Sequence, residues 1–218
     1  METILWTHHR TGSSTFIDRT PGNKKYYSSQ ELFGFQPGNP LRLERKFSKG
    51  RFTSDIPAYK KEVFGNYTFK IMGNQDIIEH AKYVIDNNIE CNHVLLFRKN
   101  LHRVILSHEF ARITDIWEPG EQIYTDNVIE EKLNQSNRNI WKHVEWIKEN
   151  LSDLDSAYQI LIAGGKKVRI IEYSDIYTEH QTTGKFYHQL DVPGLKEATE
   201  HILEPIQFYA DYVSYKYP

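Results

Sequence analysis

The chain has 218 residues, 39% hydrophobic and 13% aromatic, a composition that builds a core and excludes a disordered chain. Lys and Arg number 27 against 29 Asp and Glu, a net charge of −2 without the basic excess of a dedicated nucleic-acid binder. A single cysteine, Cys91, excludes an intrachain disulfide framework, and no apolar run approaches the ~20 residues of a membrane span.

This length suits one substantial α/β domain covering residues 1–218. Ile4 to Trp6 predicts a buried strand, and a polar loop interrupts it at once: Thr7-His8-His9-Arg10-Thr11-Gly12-Ser13-Ser14-Thr15. Gly12 permits a tight turn, and the serines can open a helix that runs to Arg19 before Pro21-Gly22-Asn23 stops it. Strand, cation, glycine, hydroxyls and a helix N-terminus together suit a phosphate or sulfate. The same letters also spell an N-capped helix after a plain turn, so the loop alone leaves both readings open. It is not the nucleoside-triphosphate loop, which needs Gly-Lys followed by Ser or Thr; Gly184-Lys185 is followed by Phe186. With a strand starting almost at Met1 there is no room for a targeting segment, and the expected compartment is the cytoplasm.

Residues 21–54 carry little periodicity, with Gly34, Pro37-Gly38-Asn39-Pro40 and a basic stretch from Arg42 to Arg51. A segment of this kind is expected to wall or cover a substrate site. Inside it, Glu31 lies among aromatics, either capping a short helix with Ser28 or held as an active-site carboxylate. A helix is expected over Asp55–Val63, a strand over Tyr67–Met72 and an amphipathic helix over Asn74–Asn87. His93–Phe97 reads as a central parallel strand ending in Arg98-Lys99-Asn100, with a helix from Leu101 to Ile116. Asp126–Ala163 is mostly helical and is closed by Gly164-Gly165; Lys167–Tyr173 is the last clear strand, followed by Ser174-Asp175. The remainder is short and amphipathic, broken at Gly184, Pro193-Gly194 and Pro205. Alternating strands and helices predict an open parallel sheet flanked by helices, with ligands beyond the strands' C-terminal ends. Arg10, Arg98 and Ser174-Asp175 all fall at such ends.

Two of these junctions resemble the sulfotransferases that use 3′-phosphoadenosine 5′-phosphosulfate (PAPS). Arg10-Thr11-Gly12-Ser13-Ser14 is similar to the family's 5′-phosphosulfate loop, and Arg98 with Ser107 to its 3′-phosphate motif, of the bacterial Arg-x-Asn-x-x-Arg variety. Lys99, eight residues before Ser107, fits the Arg98 place as well. Phe69-Lys70-Ile71-Met72 and Ile171-Glu172-Tyr173-Ser174-Asp175-Ile176 echo two further strands of the family, the latter with Ser174 in place of Glu. Gln30-Glu31-Leu32-Phe33 resembles the carboxylate segment of bacterial carbohydrate and glycolipid members, including the trehalose 2-sulfotransferase type, but lacks its preceding Pro.

The resemblance implies a P-loop-like three-layer α/β/α fold with a central parallel sheet, and sulfuryl transfer to a small-molecule or glycan hydroxyl. PAPS would be co-substrate, 3′,5′-adenosine bisphosphate (PAP) the product, and no metal would be needed. Arg10 would face the bridging oxygen, Gly12 to Thr15 the 5′-phosphate with Thr11 beside them, and Arg98 with Ser107 the 3′-phosphate. Glu31 is the first candidate for the base, with His8 and His9 as competitors; His108 reads as structural. Two other readings stand beside this one. One is a nucleotide-dependent transferase or kinase with a degenerate phosphate loop and Asp175 as its Mg²⁺ carboxylate; the other is a catalytically inactive nucleotide-binding or scaffold protein.

Overall fold

A computed structural model describes residues 2–19, 68–73, 76–117, 124–136, 139–177 and 184–216. The helix expected over Asp55–Val63 lies outside these residues, as does Glu31. Strands β1 (Thr3–Thr7), β2 (Phe69–Met72), β3 (Asn92–Phe97) and β4 (Val168–Glu172) form an all-parallel sheet in the order β2-β1-β3-β4. Every residue of β1 and β2 is buried, as a strand covered on both faces requires.

The helices are α1 (Ser13–Arg19), α2 (Ile77–Asp86), α3 (Leu101–Thr114), α4 (Asp126–Gln135), α5 (Ile140–Ala163), α6 (Tyr187–Leu190), α7 (Leu195–Glu200) and α8 (Gln207–Lys216). The stretch expected to be mostly helical over 126–163 is therefore two helices. Its break falls at Ser136, which leaves the helix in an extended conformation while its hydroxyl donates to the Leu133 carbonyl. Ser and Asn favour such local bonds over a continuing helix. Helix α3 starts where Asn100 accepts the Arg103 N–H, and α5 ends as expected at Gly164, with Gly165 at φ +78°.

Side chains alternate across the sheet. Ile4, Trp6, Phe69, Ile71, Leu95 and Phe97 join one core with α2, α3, α5 and α8. Helix α5 supplies Val144, Ile147, Leu151, Leu154, Tyr158 and Leu161 at three- and four-residue intervals, all buried. On the other face Leu5, Val94, Leu96 and Ile171 pack with Ile17 of α1. The helices that follow β1 and β3 thus contact opposite faces of the sheet. The crevice where such a sheet splits its crossovers lies at the C-terminal ends of β1 and β3.

The C-terminal helix is fastened by polar bonds. Asp155 Oδ1 accepts the Phe208 N–H at 2.9 Å, Tyr158 donates to Asp211 at 2.6 Å, and Asp175 accepts from Tyr212 and Lys216. Near the N-terminal end of β3, Trp6 Nε1 donates to His93 Nδ1 at 3.2 Å, and burial pushes the nearby Cys91 thiol up to about 12. Among the described residues no helix is long and apolar enough to cross a membrane.

Leu151 is fully buried where α5 meets the core, so Leu151→Ala is expected to cost about 2–5 kcal/mol, read as a lowered urea midpoint.

Candidate functional site

The loop after β1 is built from within by hydroxyls. Thr7 donates to the Leu96 carbonyl at 2.8 Å and lies 2.6 Å from the Thr11 hydroxyl, both fully buried. Thr11, expected among the ligand-binding residues, therefore turns its side chain into the protein and braces the loop. Above this brace the backbone enters the left-handed region at Arg10 (φ +62°) and at Gly12 (φ +71°). For Arg10 that conformation is costly, and such outliers persist where the surrounding structure enforces them. At Gly12 there is also no space: a Cβ would lie 2.9 Å from a ring carbon of Tyr177 and 3.2 Å from one of Tyr173. Tyr177 donates its hydroxyl to the Gly12 carbonyl at 3.3 Å, and the Phe16 N–H donates to the same carbonyl to open α1.

Three cations converge on this loop from three strands. Arg10 comes with the loop itself; its Nε donates to Ser107 Oγ at 2.9 Å and its Nη1 to the Trp117 carbonyl at 2.6 Å. Arg98, at the end of β3 and 5% exposed, lays its guanidinium 4.5 Å over the Tyr173 ring, 3.5 Å from the Arg10 carbonyl. Lys70 of β2 is 3% exposed, and its ammonium donates to Ser14 Oγ at 3.0 Å and to Ser13 Oγ at 3.4 Å. Thr15 is half-buried in the first turn of α1.

Between Arg98 and Lys99 it is Arg98 that lies against the loop. Lys99 is exposed, and its N–H donates to the Glu172 carboxylate at 2.9 Å. Ser107, expected to act with Arg98 on one phosphate, accepts the Arg10 Nε–H in this structure. Lys70 was missed as a site residue. Its signal was a lone charge in the apolar run Phe69–Met72, which turns it to the α1 face, in register with Leu5.

His8 does not have the freedom a base needs. Its ring is fully buried, Nε2 accepts the Arg98 N–H at 3.0 Å, and Nδ1 lies 2.9 Å from the His9 carbonyl. This fixes the neutral Nδ1–H tautomer, with both nitrogens engaged by backbone. Burial, helped by the Arg98 charge and partly offset by the bond to His9, lowers its pKa from 6.5 to about 3. His9 packs its ring on Trp146, with centroids 4.6 Å apart, and faces His108 at 6.1 Å. Asp175, the carboxylate a Mg²⁺ site would need, is engaged by the Glu172 N–H, Tyr212 and Lys216. Among the described residues no group of three or more His, Cys, Asp and Glu is arranged to hold a metal ion.

An unfolded chain protonates His8 below pH 6.5, whereas the folded ring refuses the proton down to about pH 3. The unfolded state binds more protons in that window, so the stabilisation is complete above it. It is lost on acidification at up to about 1.4 kcal/mol per pH unit. His8→Gln is expected to flatten the slope of stability against pH between 6.5 and 3, read from urea midpoints. His108, lowered by burial in the same way, leaves a residual slope.

Comparison with protein-family models, with curated proteins and with solved structures finds no match for this chain.

Proposed function

We propose that this chain is a PAPS-dependent sulfotransferase with a P-loop-like core, transferring a sulfuryl group to a hydroxyl of a carbohydrate or glycolipid acceptor. The observation that supports it is the convergence of Lys70, Arg10 and Arg98 on one strained, hydroxyl-rich loop at the sheet's C-terminal edge. A donor with a phosphosulfate at one end and a second phosphate at the other needs such a set of cations. The residues fit that need: Lys70, Ser13 and Ser14 form one polar group, Arg10 and Ser107 another, and Arg98 with its Tyr173 ring a third.

In this reading the acceptor oxygen bonds to sulfur while the bond from sulfur to the donor's phosphate oxygen breaks. The electron pair stays on that oxygen, and the acceptor proton passes to a base. Charge grows on the leaving oxygen, and fixed cations in a poorly hydrated site stabilise it most. Arg10 and Lys70 are the groups assigned to that oxygen and to the transferring group. Arg98 supplies a remote handle that holds the nucleotide without reacting. Glu31 stays a proposed base. A cytoplasmic location belongs to the same proposal.

Calorimetric titration with PAP in EDTA, with AMP as control, is expected to give tight, metal-independent binding that AMP does not match. Lys70→Met removes charge-assisted bonds worth about 1.5–3 kcal/mol and is expected to weaken PAP roughly 10- to 150-fold. Arg10→Ala is expected to abolish conversion of PAPS to PAP almost entirely. Absent PAP binding, or near-normal turnover in Arg10→Ala, would refute the assignment.

A further inference from the structure

A second polar assembly lies behind His108, the ring that packs against Trp117 next to Arg10. Glu109 on α3 is fully buried and takes two bonds from Arg112, both at 2.7 Å, and a third from His143 Nε2 of α5 at 2.8 Å. Burial pushes its pKa up, but the bonds from Arg112 and His143 outweigh that and hold it down at about 2. An ionised carboxylate only accepts, so His143 must donate from Nε2, which leaves Nδ1 as the ring nitrogen turned away from the carboxylate. That nitrogen has no hydrogen-bond partner among the described residues, and the side chain still reaches the surface at 14% exposure.

Position adds to chemistry. The His143 ring lies 4.7 Å from His108, edge on, and His108 lies 5.7 Å from Trp117. Trp117 in turn holds the Arg10 guanidinium through its carbonyl and places its ring 5.9 Å from it. His108 Nδ1 is buried with no hydrogen-bond partner, a cost that a bound hydroxyl would relieve. Arg112 alone satisfies both Glu109 oxygens, so neutralising that carboxylate does not require an imidazole at 143.

We propose that Glu109 and His143 form a carboxylate–imidazole pair that takes the proton from the acceptor hydroxyl, with His108 and Trp117 lining the acceptor's approach to Arg10. The assignment rests on the sulfuryl-transfer reading and sets His143 beside Glu31 as a base. In the step, the acceptor O–H proton moves to His143 Nδ1 as the oxygen bonds to sulfur. The sulfur–phosphate-oxygen bond breaks with its electron pair leaving on the phosphate. Glu109 is a positioning residue: it fixes the Nε2–H tautomer and stabilises the imidazolium that forms, as in other carboxylate–imidazole pairs.

The test follows PAP formation from PAPS in the presence of simple sugars and phenols, so that transfer to water is counted too. His143→Ala is expected to lower the rate about 100-fold or more, the usual worth of a general base, with PAP affinity by calorimetry unchanged. Added imidazole is expected to restore part of the rate to His143→Ala, which a purely structural side chain would not permit. Glu109→Gln, which keeps the hydrogen-bonding shape, is expected to show an intermediate loss. A rate within threefold of the parent in His143→Ala would overturn this assignment alone. A loss accompanied by weakened PAP binding and no imidazole rescue would likewise make His143 structural. A parent protein that neither binds PAP nor converts PAPS would overturn the sulfuryl-transfer reading and this pair with it.

Discussion

At the end of β3 the Arg98 N–H finds its acceptor in Nε2 of His8, at the end of β1, while the other nitrogen of that ring meets the His9 carbonyl. One neutral, fully buried imidazole thus joins the two strand ends between which the crossovers diverge. The loop that bears Arg10 and the chain that bears Arg98 are registered through it. A charged ring could not do this, because Nε2 would carry a proton toward the Arg98 N–H. The burial that keeps the ring neutral is therefore a condition of the geometry above it. Thr7 and Thr11 complete the underside of the loop, so the strained φ values at Arg10 and Gly12 rest on a dry, fully bonded floor.

The organisation of the sheet was legible because its signals are local. Ile4 to Trp6 and His93 to Phe97 are short apolar runs, and each lies in a strand where the pattern placed it; the strand expected over Tyr67–Met72 is observed over Phe69–Met72, with Lys70 inside it. The gathering of Arg10 and Arg98 followed from their positions at strand ends. What stayed hidden depends on side-chain direction and on partners far along the chain. The tautomer of His8 needs Arg98, ninety residues away, to be understood. Thr11 looks the same in sequence whether it faces a ligand or the floor of its own loop. That Ser107 accepts from Arg10 is equally invisible in spacing along α3, because the two residues lie 97 positions apart. The break at Ser136 was lost inside a long amphipathic pattern, since apolar residues continue at helical spacing on both sides of it.

Charge in the crevice is arranged by depth. Lys70 and Arg98 are nearly inaccessible, and each is held by hydroxyls, a ring or a carbonyl. Arg10 lies further out, bonded to Ser107 and Trp117 across the mouth. Cations held in this way are fixed in advance, so an anion placed among them would meet little reorganisation cost. Aromatic rings stand against them: Tyr173 over the Arg98 guanidinium, Trp117 near that of Arg10, and Tyr173 with Tyr177 against Gly12.

The position of β1 between its two neighbours also bears on how the protein is made. Ile4 pairs with Phe69 on one side and with His93 on the other, so the strand is synthesised long before either partner exists. At about 5–20 residues per second, β1 waits several seconds on the ribosome with its apolar side chains unsatisfied. In the order β2-β1-β3-β4 the sheet can still grow outward from β1 in the order of synthesis, with β2 on one edge first, β3 on the other next and β4 last. Until β3 has been made, one edge of β1 has no strand beside it, and Ile4, Leu5 and Trp6 lack part of the cover they have in the folded protein.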